Sequence, residues 1–157
     1  MNDPVNRDLW LGSAAGIGLT PLGESAPEGV PTVDQALLSV TNMEVRPTRT
    51  VPVDSPDAWG EVDRQWLSLA RDNALFTEDG RFLIVLPGPG AVESGWVPVQ
   101  WVDGVEISSR LSHRKENVDF LAMSLDGKVL CAVTEEDSDY WIILHEFSCP
   151  GCPSLPR

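Results

Sequence analysis

Apolar positions recur at helical spacing in two stretches of the chain and at strand spacing through most of its C-terminal half. Thr32-Val-Asp-Gln35 has the form of a capping box, in which the Thr hydroxyl accepts the N–H three residues on and Gln35 reaches back. Val33, Ala36, Leu37 and Val40 then share one face, which predicts a short helix over about 33–41. Ser55-Pro56-Asp57 predicts a second start. Ser caps, Pro takes the first helical position, and Asp57 and Glu61 sit at the positive end of the dipole. Trp59, Val62, Trp66, Leu69 and Ala70 repeat at three and four, giving a main helix over about 56–72 with Trp66 as its core anchor and Trp59 less so. Between the helices, Glu44–Val53 alternates, but Pro47 and Pro52 lack the N–H of a central strand and make it an extended edge segment or linker.

After Asn73 the pattern changes to strands, expected at roughly 75–77, 82–87, 96–102, 105–111, 119–124, 128–134 and 140–147. Two segments resemble each other: Thr77-Glu-Asp-Gly-Arg81 leads an apolar run and a return led by Trp96, and Ser124-Leu-Asp-Gly-Lys128 leads another and a return led by Trp141. Each Asp-Gly supplies the positive φ of a tight turn, and Asp103-Gly104 is a third. The expectation is an α+β fold: an antiparallel β-meander of about five or six strands packed by one main helix. Residues 1–31, with five glycines and four prolines, form an irregular wrapping segment that Trp10 and Leu11 anchor. Residues 32–147 form a single domain, and 148–157 a flexible tail. The Asp-Gly turn, apolar strand and Trp-led return resemble a β-propeller blade. A propeller needs at least about four blades and the chain has room for two such units, so the likeness is one of hairpin physics.

Charge sharpens this picture. Among 157 residues there are 24 Asp and Glu against 11 Lys and Arg, a formal charge of −13, which disfavours nucleic acid as a partner. A hydrophobic fraction of 42% and a charged fraction of 22% fit a folded domain, and no apolar run approaches the ~20 residues of a membrane helix. The N-terminus lacks the basic start and apolar core of a secretory signal, and three cysteines, an odd count, point to reduced thiols in a cytoplasm. Two Lys against nine Arg, with many Ala, Gly and Pro, fit a high-GC bacterial or phage genome.

No catalytic constellation emerges. His113 and His145 are the two histidines, and His145-Glu146 in a strand point to opposite faces and cannot share a proton. Pro87-Gly-Pro-Gly90 lacks the Lys-Ser/Thr of a phosphate loop. Cys131 lies in an apolar run as a small buried hydrophobe. Cys149-Pro-Gly-Cys152 has no helix after it to activate a thiol, and with His145 it provides three zinc ligands where a structural site needs four. No cofactor is expected.

The carboxylates do cluster. Glu135, Glu136, Asp137 and Asp139 precede Tyr140 and Trp141, and Asp54, Asp57, Glu61 and Asp63 surround the start of the main helix. A solubilising coat is one explanation. A recognition face is the other, with one of the two adjacent aromatics pointing outward as a contact residue. The expectation is therefore a non-enzymatic acidic inhibitor of the immunity-protein, antitoxin or phage anti-host type. It would bind a basic protein partner such as a toxin or host enzyme through Glu135, Glu136, Asp137, Asp139, Tyr140, Asp57 and Glu61. The alternatives are a subunit of a phage or bacterial assembly, or a small metal-binding module using His145, Cys149 and Cys152.

Overall fold

A computed structural model describes residues 12–23, 25–41, 44–87, 95–113 and 119–147. Its strands are β1 (Thr20–Pro21), β2 (Arg49–Pro52), β3 (Arg81–Val85), β4 (Val97–Gln100), β5 (Phe120–Met123), β6 (Val129–Glu135) and β7 (Asp139–Glu146). They form one antiparallel sheet in the order β1-β4-β3-β5-β6-β7-β2. Residues 12–16 are helical, and the longer helices are α1 (Val33–Thr41), α2 (Ala58–Asp72) and α3 (Ile107–His113). The fold is α+β, as the patterning requires.

Local signals account for most of these elements. Both arms of the capping box form: Gln35 N–H donates to Thr32 Oγ1 at 3.2 Å, and Thr32 N–H donates to Gln35 Oε1 at 2.8 Å. The two Asp-Gly segments build related turns, closing four residues on at Arg81 and five residues on at Val129. The hydroxyl of Thr77 or Ser124 donates to the carboxylate two residues on and accepts the N–H of the residue entering the next strand, Arg81 or Val129. The strands they launch, β3 and β6, each pair with the return strand, β4 or β7.

Gly80 and Gly127 both have positive φ, +84° and +73°, but their surroundings differ. A Cβ on Gly127 would lie 2.9 Å from Pro31 Cδ and 3.0 Å from Val30 Cα, whereas on Gly80 the nearest atom is Trp101 Cβ at 3.5 Å. Gly80→Ala therefore carries the conformational cost alone, about 1–2 kcal/mol. Gly127→Ala adds a backbone collision, and urea titration should find it the more destabilising of the two.

Register assigns the faces. Phe82, Ile84, Val99, Phe120, Ala122, Cys131, Val133 and Ile142 share the face under α2; Leu83, Val85, Leu121, Met123, Leu130, Ala132 and Ile143 share the other. All of these are buried. α1 lies over the second face, so the sheet is covered on both sides. This is why β5 and the centre of β6 are continuous apolar runs rather than alternating ones.

Several expectations change. The sheet has seven strands, because Thr20–Pro21 and Arg49–Pro52 add one edge each. The N-terminal segment is tied in more firmly than a wrap, since Ala14, Ile17 and Leu19 are buried. Residues 75–77 are not a strand. The segment 105–111 is not a strand either: after the Asp103-Gly104 turn the chain forms α3. That helix carries the chain past β3, so β5 pairs with β3 and not with β4, and the sheet departs from a simple meander. The main helix begins two residues later than expected, with Asp57 at the N-cap position but making no cap hydrogen bond.

The cause of α3 is a buried carboxylate. Asp63 of α2 accepts the Ser108 N–H at 2.7 Å, the Ser109 N–H at 3.1 Å and the Ser109 hydroxyl at 2.9 Å. A helix of only seven residues is thereby capped from another element, which satisfies two of its orphan donors. Burial raises the Asp63 carboxyl above its ordinary value, and the serine hydrogen bonds oppose that rise.

Candidate functional site: an acidic end with an exposed tryptophan

The two acidic groups named from sequence converge. β2 pairs with β7 so that Pro52 lies opposite Asp139, and Val53 N–H donates to Ser138 O at 3.0 Å. The chain then turns through Asp54–Pro56 directly into α2. The tip of the β6–β7 hairpin, closed by Glu136 N–H on Asp139 O at 2.8 Å, therefore sits beside the start of α2. Glu135, Glu136, Asp137, Asp54 and Asp57 are exposed there, and Asp139 and Glu61 are half-buried.

The two groups differ in how far their charge is committed. Asp57 and Glu61 share Arg64, at 3.4 and 2.8 Å. Glu61 also accepts from Gln65 at 2.7 Å, and Gln65 in turn accepts from Arg49 at 2.7 Å. Hydrogen bonds from Gln65 and then Arg64 hold the Glu61 carboxyl below its ordinary value. Glu135, Glu136, Asp137 and Asp139 form no ion pair among the described residues. Among the described residues, the hairpin therefore has no cation paired to its negative charge.

Asp119, just before β5, belongs to this cluster. Its carboxylate accepts the Glu135 N–H at 2.6 Å. Burial, and after it the nearby charges of Glu135 and Glu136, raises its carboxyl above the ordinary value. Nothing in the sequence marked it, because the contact spans sixteen residues.

The structure corrects the aromatic assignment. Tyr140 is 5% exposed: it lies on the α2 side of β7, opposite Val51, and cannot serve as an outward contact. Trp141 is half-buried on the other face. The exposed aromatic is Trp59 on the first turn of α2, at 44%, with Val53 beside the hairpin at 38%. The Trp59 indole lies beside the Tyr140 phenol. Burial pushes the Tyr140 phenol up, and the neighbouring indole opposes the rise. Trp66, by contrast, is 1% exposed in the core, as its spacing requires.

Among the described residues, the remaining candidates do not come together in one group. Cys131 is fully buried and its thiol is pushed up to about 12 by burial, the state of an inert core residue. His145 and Glu146 fall on opposite faces of β7, and His145 packs edge-on against Phe147 at 4.6 Å. Cys149 and Cys152 lie outside the described residues, as do Trp10 and Leu11. Among the described residues no three His, Cys, Asp or Glu side chains are grouped to hold a metal ion, and no helix is long and apolar enough to cross a membrane. No family model, curated protein or solved structure matches the chain.

Proposed function

We propose that this protein is a non-enzymatic inhibitor that binds a basic protein through its acidic end, in the manner of an immunity protein, antitoxin or phage anti-host protein. The observation that supports this reading is the convergence of the hairpin Glu135–Asp139, whose carboxylates form no ion pair among the described residues, with the exposed Trp59 beside Tyr140. Carboxylates arranged this way steer a cationic partner and set its orientation. A large exposed aromatic among them provides the anchor whose desolvation on contact supplies binding energy. Asp57 and Glu61, already shared with Arg64, contribute less long-range attraction than the hairpin does.

The test begins with affinity capture from the native source and identification of a basic partner. Association is then measured by stopped flow with Glu135, Glu136 and Asp137 all replaced by Lys. The rate constant should fall by roughly 10–100-fold at low salt, and its dependence on ionic strength should flatten. Trp59→Ala should chiefly accelerate dissociation. An unchanged association rate in the triple variant would refute the acidic-end reading.

A further inference from the structure

A second feature adjoins the hairpin on the α1 side of the sheet. Val33, Leu37 and Val40 of α1 face Val85 and Leu121 across an open apolar groove of about 250 Å³. That is below the usual ~300–1,000 Å³ of a small-molecule pocket, and suits one or two protein side chains. Leu37 is 37% exposed at its edge. Thr134 and Asp119 also line it, and the Thr134 hydroxyl is buried without a hydrogen-bond partner among the described residues. Asp119 is bonded to the Glu135 backbone, which places Glu135 and Glu136 next to the groove's polar rim. None of these three carboxylates is ion-paired among the described residues.

An apolar slot with an acidic rim complements one kind of occupant. We propose that the groove receives a Leu- or Phe-sized anchor from a cationic segment of the protein partner, with neighbouring Lys or Arg side chains reaching Asp119, Glu135 and Glu136. A neutral apolar segment would leave the rim charges without partners at a desolvated contact, and a polar cationic one would leave the slot unfilled. This assignment rests on the basic-partner reading and adds the chemistry of the segment recognised.

The probe is the capped peptide Arg-Lys-Leu-Phe-Leu-Lys-Arg, titrated into the full chain labelled with 15N. Saturable shifts are expected at the amides of Leu37, Val40, Phe120 and Thr134. Replacing Leu-Phe-Leu by Ser-Ser-Ser should weaken binding at least tenfold, and Leu37→Lys should abolish that difference between the peptides. Equal binding of the two peptides to the unaltered protein, or shifts confined to Trp59 and the hairpin tip, would overturn the groove while leaving the acidic end as the binding face. Failure of both peptides to bind would overturn the groove proposal, and the stopped-flow experiment with the captured partner would still decide the acidic-end reading separately. A dimer in sedimentation that Leu37→Lys dissolves would assign the groove to a second copy of the chain and would also overturn the proposal.

Discussion

Replacing Trp66 by alanine is expected to cost about 3–5 kcal/mol of folding stability, the largest single loss expected in this protein. The indole is 1% exposed and is surrounded by Phe120, Trp101, Phe76 and Phe82, with ring centroids 5.3, 5.8, 6.0 and 6.2 Å away. These rings come from the approach to β3, from β3 and β5, and from the end of β4, so one side chain of α2 ties the helix to the middle of the sheet. Its Nε1–H donates to Cys131 O at 3.1 Å. Truncation thus opens a large void and removes a buried donor together. A domain of this kind holds about 5–15 kcal/mol in all, and the variant should be close to unfolding at room temperature. Trp66→Phe keeps a ring and loses the donor, at about 1–3 kcal/mol. Trp59→Ala, on the surface, should lose about 1 kcal/mol or less. Urea denaturation of the three variants gives the order directly. A loss under about 1.5 kcal/mol for Trp66→Ala would show that the cluster does not carry the core.

Asp63→Ala is expected to lose about 2–3 kcal/mol, through a different mechanism. The carboxylate caps α3 from outside the helix, and removing it strands the buried Ser108 and half-buried Ser109 N–H groups. The loss should be local as well as global: the amides of Ile107–His113 should exchange much faster in the variant, while those of β6 change only with overall stability. Asp63→Asn keeps one acceptor and should fall between the two. The pH dependence is set by the sign of the shift. Burial raises the folded Asp63 carboxyl, so its contribution to stability is present below the unfolded carboxyl value and is lost as pH rises through the raised folded one. The amide cannot take up that proton. The gap between the unaltered protein and Asp63→Asn should therefore shift in favour of the unaltered protein on acidification through the carboxylate range. A constant gap would mean that Asp63 titrates alike in the folded and unfolded chain.

Much of the fold was legible because much of it is local. Thr32 and Gln35 bond each other within one turn of helix. The hydroxyl–Asp-Gly turns complete their own hydrogen bonds within five residues. The 3.6-residue spacing through α2 correctly selected Trp66 as buried. The carboxylates of the candidate site were legible as two runs in sequence. Their adjacency was not, since it depends on β2 pairing with β7, whose residues lie far along the chain.

What the amino-acid order determined by itself was therefore the positions of α1, α2 and the central strands, the turns between them, and the excess of negative charge. Tertiary structure decided the rest. Val105–Leu111 carries an apolar pattern compatible with strand or helix, and Asp63, distant in sequence, selects helix by supplying acceptors to its first turn. Tyr140 and Trp141 have equivalent claims to the surface in sequence; a sheet covered on both faces encloses one, partly covers the other, and leaves Trp59 exposed. Local bonds are written into neighbouring residues, whereas burial and long-range capping depend on which distant element arrives at the same place.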